Sequence, residues 1–335
     1  MMLTRRHMML SSIGFAVATP SGAFAAGRDV GAQSVGGQSI GGQSIGGLAF
    51  GSSWRITAAS GDLPGVHRVV QGIIADIDMQ MSPYIAQSDI SKFNTARTTE
   101  WQQMPHALCT VAGEALEVAG MTGGHFDPTV GPLVSRLGFG PITGGAGSYT
   151  GIEVAADRLR KSSVDLTLDL CGIAKGFALD RIVDAMRARG MRNALVDVGG
   201  EVRALGQNPE GRPWTVAIAD PTSTALLRAW TIVAPGRLAL ATSGHAANGV
   251  TGRVSVSHII DPQTGAPASP MLRSVSVLAP TAMRADVLAT ALCAAGPVDG
   301  VEMARRLDIP ALFIIGSSAQ PVEVMTAGFR DHVVS

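Results

Sequence analysis

Aromatic residues make up only 4% of this sequence, and just two of them are tyrosines. Any stacking on a ring-bearing ligand must therefore rest on very few side chains. Lysine is also scarce: among 26 basic residues only Lys92, Lys161 and Lys175 are lysines. Where arginine is the habitual cation, a lysine is a candidate for a site that wants a compact point charge. Neither charge sign is in excess, since 26 basic residues face 26 acidic ones. That balance argues against a nucleic-acid partner, which calls for a basic footprint. The three cysteines, Cys109, Cys171 and Cys293, are odd in number and form no CxxC pair. A zinc site or a disulfide framework is thus not indicated, and each reads as a small buried apolar residue. No Gly-x-Gly-x-x-Gly follows a strand and no Walker loop exists, so a bound nucleotide is held by other means. What is abundant is apolar sequence, 46% of 335 residues, enough to bury a sizeable core.

The N-terminus reads as an address. Arg5-Arg6 follows Thr4 and precedes a mildly apolar stretch, as in a twin-arginine export signal. Ser11, Ser12, Thr19, Pro20 and Ser21 interrupt that stretch, which is too weakly hydrophobic for a membrane span. Ala23-Phe24-Ala25 is a small-x-small pattern that places cleavage before Ala26. Residues 1–25 are therefore expected to be a signal peptide and the mature protein to be periplasmic. No cysteine lies near the cleavage site, so no lipid anchor is indicated. Residues 26–47 read as a flexible tether, built on Gln-Ser-(Val/Ile)-Gly-Gly repeated three times from Gln33 to Gly47. As a random coil it would reach about 25 Å. Its last copy contains Gly42-Gln43-Ser44-Ile45-Gly46, which matches the hydrolase pattern G-x-S-x-G. That pattern carries chemistry only between a strand and a helix, so Ser44 is not taken as a nucleophile.

Residues 48–335 read as the globular domain. A strand is expected over 50–58. Val66, Val69, Ile73, Ile74, Ile77 and Met81 then recur at helical spacing. A second helix is expected from His106 to Met121, stopped by Gly123-Gly124. The alternation of Leu166, Leu168 and Leu170 predicts a strand, and a helix follows over 173–189. Strands are expected at 193–198, 201–205, 214–219, 229–234, 237–241, 254–260 and 273–279. Helices follow at 282–294 and near 298–307, with a last strand at 310–315. This order gives an α+β class with no clean βαβ alternation.

Four segments could carry chemistry. Tyr84, just past the first long helix, offers an aromatic face for an adenine or isoalloxazine ring. His125-Phe126-Asp127-Pro128 opens a rigid Pro-rich turn able to hold polar groups against a ligand. Asp169-Leu170-Cys171-Gly172-Ile173-Ala174-Lys175-Gly176 runs from strand to helix, where free backbone N–H groups suit phosphate and Lys175 adds a positive charge. His258 lies beside the turn Asp261-Pro262-Gln263-Thr264-Gly265, an arrangement suited to acid–base work. Downstream, Asp286 and Thr290 stand four apart on one helix face and supply hard oxygen donors for Mg²⁺.

Together these segments resemble the FAD:protein FMN transferases of the ApbE type. The matching stretches are MSPYIAQSDISKFN, GHFDPTVGPLVSRLGFGP, LDLCGIAKGFALDRIVDAM with NALVDVGGEVRALG, LATSG with SHIIDPQTGAP, and ADVLATAL, in the family's order. The resemblance implies a T-fold-related architecture around an FAD cleft. It places Phe50, Ser52, Tyr84, His125, Phe126, Asp127, Cys171, Lys175 and Ile260 against the flavin nucleotide. It makes the carbonyl of Ala174 and the side chains of Asp286 and Thr290 ligands of Mg²⁺. It makes His258 the candidate base, with Asp261 as the other possibility. The implied substrates are FAD and a Ser/Thr hydroxyl of a client protein, with AMP leaving. Departures from the family pattern are Phe50-Gly51-Ser52 for Met-Gly-Thr, Cys171 for glycine, Phe177 for tyrosine, Pro83 for threonine and the lack of an aromatic after Gly244. Two rival readings keep the same cleft: an FAD hydrolase, in which water replaces the protein hydroxyl, and a periplasmic flavin-binding protein without turnover. The latter would have no need of Asp286, Thr290 or His258.

Overall fold

A computed structural model of the chain describes residues 42–145, 147–223, 228–244 and 257–334, together with the backbone of 32–33. The export signal and most of the tether lie outside the described residues. Eight strands form the main sheet: β1 Gln43–Ala49, β2 Ser52–Ala58, β3 Ala194–Val198, β4 Glu201–Leu205, β5 Ala239–Gly244, β6 Leu272–Ala279, β7 Ala311–Ser317 and β8 Gln320–Thr326. They stand side by side in chain order, and every neighbouring pair is antiparallel. Among the described residues six helices accompany them: α1 Leu63–Met81, α2 Asp89–Thr95, α3 His106–Met121, α4 Gly131–Arg136, α5 Ala174–Ala188 and α6 Ala282–Arg306.

Strand alternation sorts the sheet's side chains into two cores. Val196, Ala239, Ala241, Val277 and Phe313 face the helical side, where Ile74, Leu179, Ile182 and Leu292 complete the larger core. Leu195, Val202, Leu240, Leu278 and Leu312 face the other way and meet Trp214, Val216, Ile218 and Phe329. That second face is covered by Val216–Ala219 and Ala229–Val233, which pair with each other, and by the 3-10 turn Ala327–His332. Because both faces are covered, segments such as Ala194–Val198 are apolar almost throughout.

Several expectations shift. The strand begins at Ser52 rather than Phe50, because Phe50 and Gly51 have φ of 53° and 76° and make the hairpin turn. The end of the expected tether is also corrected: Gln43–Gly47 belongs to β1, paired residue for residue with β2. Main-chain bonds hold this edge strand, with Ser44 Oγ 3.0 Å from Thr57 Oγ1. Gly47 makes room for Trp54: a Cβ there would lie 2.8 Å from the indole nitrogen. Ser44 therefore stands on a strand and not at a strand-to-helix elbow.

Leu166, Leu168 and Leu170 are buried as alternation requires, but they form no ladder. The side chain of Asn94 serves as their partner, accepting from Leu168 N at 2.7 Å and donating to Leu168 O at 2.8 Å. Nearby, Lys161 is buried and donates to the carbonyls of Phe93 (3.0 Å) and Asn94 (3.1 Å), capping the end of α2. The two helices expected around residue 296 are one run broken at Gly296, where φ is 84° ahead of Pro297. Of the strand expected at 254–260, residues 254–256 lie outside the described residues. Ile260–Asp261 pairs with Ala266–Pro267 in a two-residue ladder.

Candidate active site

Successive strand ends meet at one end of the sheet: the turn Phe50–Ser52, the turn Gly199–Glu201 and the end of β5 at Thr242–Gly244. Together with the end of α1, the approach to α5 and the first turns of α6, they line a cleft of ≈ 820 Å³. That volume suits a cofactor-sized ligand. Every site residue expected from the sequence lines the cleft except Asp261. The carboxylate of Asp261 serves its own turn, accepting from Gln263 N (2.9 Å) and Thr264 Oγ1 (2.9 Å). The structure thus brings His258 to the cleft and leaves its rival base outside.

The floor is a cluster of titratable groups, with Glu201 and Asp286 buried and Lys175 partly exposed to the cleft. Lys175 occupies the first turn of α5 and places Nζ 2.5 Å from Glu201 Oε1 and 3.4 Å from Asp286 Oδ1. The other carboxylate oxygen of Asp286 accepts from Gly176 N at 3.0 Å. Gly176 is required here by close approach, because a Cβ would lie 2.2 Å from the carbonyl oxygen of Ala282 in α6. Burial works against the charge on Lys175, but Asp286 and Glu201 outweigh it and hold its pKa above the ordinary lysine value. Burial, seconded by Asp286 and opposed by Lys175, raises Glu201 to about 8. Its Oε2 is buried without a hydrogen-bond partner among the described residues. The cluster thus sets two carboxyl groups against one ammonium, so a cation bound there would compensate Glu201 once it ionises.

Thr290 stands one turn beyond Asp286 on the same face of α6. Its Oγ1 lies 3.3 Å from Ser243 Oγ and 3.5 Å from Gly172 O. The loop before α5 is pressed against it, since a Cβ on Gly172 would sit 3.2 Å from the Thr290 methyl. The Gly172 carbonyl and the Thr290 hydroxyl therefore meet one turn along α6 from the Asp286 carboxylate. This all-oxygen donor set fits Mg²⁺, which binds through few protein ligands and completes its shell with phosphate and water. Among the described residues no group of three or more His, Cys, Asp or Glu side chains gathers as a softer-metal site would need.

The remaining walls are less charged. Tyr84 donates its hydroxyl to Phe139 O at 2.9 Å while two thirds of the residue stays exposed at the mouth (66%). The ring of Phe139 in turn meets His258 edge-on at 6.2 Å. Nδ1 of His125 is buried with no hydrogen-bond partner among the described residues. Asp127 is committed to the turn, accepting from Thr129 N and Oγ1 (2.8 and 2.6 Å) and from Tyr149 N (3.1 Å). Cys171 departs from the expected burial: it is exposed on the cleft wall, whereas Cys109 and Cys293 are buried. Glu201 escaped the sequence reading. Its one local sign is a carboxylate that opens a strand directly after the Gly199-Gly200 turn.

A protein-family model described as the ApbE family matches residues 50–313, most of the chain. The chain belongs to the ApbE family. An FAD:protein FMN transferase of Vibrio cholerae is 35% identical over 276 residues, covering 78% of this chain and 82% of that protein. The protein of the same name from Escherichia coli K12 is 30% identical over 308 residues, covering 85% and 87%. Among solved structures, the flavin transferase ApbE from Vibrio cholerae superimposes with a TM-score of 0.78 at 30% identity, covering 87% of this chain and 99% of that one. The apo flavinyl transferase ApbE of Pseudomonas stutzeri gives 0.76 at 29% identity, covering 87% and 96%. These ApbE structures share the α+β architecture with a mainly antiparallel sheet.

Proposed function

We propose that this ApbE-family chain transfers FMN from FAD to a Ser or Thr hydroxyl of a client protein, with Mg²⁺ as its metal. The observation that carries the proposal is the Lys175–Glu201–Asp286 cluster beside Thr290 at the floor of a cofactor-sized cleft. A protein that merely held flavin would gain nothing from setting an ammonium against two buried carboxyl groups there. In the reaction the acceptor oxygen forms a bond to the flavin-side phosphorus. The bond from that phosphorus to the bridging oxygen breaks, and AMP leaves with that oxygen. Such a transfer depends mainly on positioning and on neutralising charge. When bound, Mg²⁺ would supply Lewis-acid stabilisation of phosphate charge, held by Asp286, Thr290 and the Ala174 carbonyl. Lys175 adds a fixed positive charge on the same side. Imidazole is the side chain suited to taking the hydroxyl proton near neutral pH, and His258 is the one we assign to it. Tyr84 and Phe50 offer ring faces, and His125 a polar edge.

Dependence of AMP release on the acceptor separates this reading from hydrolysis. With FAD and Mg²⁺, the enzyme should release AMP in step with modification of an added acceptor domain. AMP and free FMN at the same rate without acceptor would make the protein a hydrolase.

Export is proposed on the sequence alone, since Arg5 and Arg6 lie outside the described residues. Changing both to lysine should leave precursor in the cytoplasm; mature protein still reaching the periplasm in normal amount would count against the twin-arginine route.

A further inference from the structure

The three elements that supply the charge cluster are joined a second time, one structural repeat farther along each. On α5, Asp180 lies one turn beyond Gly176, on the same face. Its Oδ1 accepts from Ala282 N at 3.0 Å and its Oδ2 from Met283 N at 2.9 Å. These are the first two N–H groups of α6, which carries Asp286 one turn later. On β4, Arg203 lies two residues beyond Glu201 and so on the same face of the strand. Its Nη1 pairs with Asp180 Oδ1, and its Nη2 donates to Pro280 O at 3.2 Å, just before α6 begins. The pair is largely withdrawn from water, at 12% and 16% exposure. The helix already has its own cap, because Thr281 Oγ1 accepts from Arg284 N at 3.2 Å. Asp180 is therefore more than a terminal cap: it holds α6 to α5 and to β4.

We propose that Asp180 and Arg203 are positioning residues for the metal-binding carboxylate, fixing the first turn of α6 so that Asp286 and Thr290 face Lys175 and the loop before α5. Neither residue lines the cleft. This inference rests on the metal set of the proposed function. A misplacement of α6 by a fraction of an ångström would be felt at the metal before it was felt in the fold, because ligand geometry around Mg²⁺ is exacting.

The test compares Asp180→Ala with Thr281→Ala in the otherwise intact chain. Both weaken the same helix end, but only the first cuts the tie to α5 and β4. Mn²⁺ is titrated into each protein with ADP present as a non-transferable pyrophosphate, and binding is read by electron paramagnetic resonance. Melting temperatures are recorded in parallel. We expect Asp180→Ala to bind Mn²⁺ at least about tenfold more weakly than the parent and Thr281→Ala to stay within about twofold, as losing a second-layer partner of a metal site commonly does. Asp180→Asn, which keeps one acceptor for the helix, should fall between and serves if the alanine variant does not fold. Unchanged binding in the Asp180 variants, or an equal loss in Thr281→Ala, would overturn the positioning role while leaving the metal set intact. Failure of the parent protein to bind Mn²⁺ would overturn both.

Discussion

Asp286→Asn should lower FMN transfer by at least about 10²–10³-fold, the usual cost of removing one preorganised electrostatic group from a reaction centre. The fold should survive. Asparagine keeps an oxygen that can accept the bond from Gly176 N, now 3.0 Å long, so the junction of α5 and α6 loses charge without losing its hydrogen bond. What disappears is the carboxylate aimed at the cleft beside Thr290. Far-UV circular dichroism and the melting temperature should stay near the parent's while the initial rate in saturating Mg²⁺ collapses. A variant with near-parental rate would remove Asp286 from the metal set.

The second large effect falls on both stability and activity. Lys175→Met keeps the side-chain length but strips the ammonium that pairs with Glu201 and Asp286, whose side chains are 2% and 3% exposed. Breaking one side of a buried ionic group costs roughly 3–5 kcal/mol. The deficit should depend on pH in a definite direction. Glu201 already sits at about 8, raised by burial with Asp286 adding and Lys175 opposing. Without the ammonium its carboxyl keeps the proton to higher pH still. A carboxyl whose folded pKa exceeds its unfolded value stabilises the fold below the unfolded value, near 4.3, and loses that contribution as pH climbs to the folded one. Below about pH 8 Glu201 is protonated in both folded proteins, so the gap between parent and variant should stay level from acid through neutrality and widen only as pH rises past about 8, where the parent's Glu201 ionises and the variant's does not. Urea midpoints from pH 5 to 9 would show this. A gap that narrows with rising pH would mean that Lys175 does not compensate these carboxylates.

Some of this was legible in the chain and some was not, for physical reasons. The helical period marked α1, and α3 was bounded correctly from His106 to Met121 because its glycine stop is local. The motif segments gave the cleft residues, since each is a short turn or helix start with its own signature. Glu201 was hidden because its significance lies in contacts with Lys175 and Asp286, from residues 26 and 85 positions away in sequence. Asp180 was hidden for the same reason: on α5 alone it is an ordinary helix carboxylate. Leu166–Leu170 misled because alternation reports burial, and here an asparagine side chain takes the role of the neighbouring strand. Gln43–Gly47 misled in the opposite way. Its side chains have little to bury, but an edge strand needs only main-chain partners and room for Trp54. A truncated protein starting at Leu48 would thus cut through β1, so the chain should be studied with that strand intact.

The most direct test is the intact mass of a flavinylation-acceptor domain after incubation with this protein, FAD and Mg²⁺. The account predicts a gain equal to one covalently attached FMN, absent when EDTA is added and absent with Asp286→Asn. An acceptor of unchanged mass, while the enzyme binds or cleaves FAD, would contradict it.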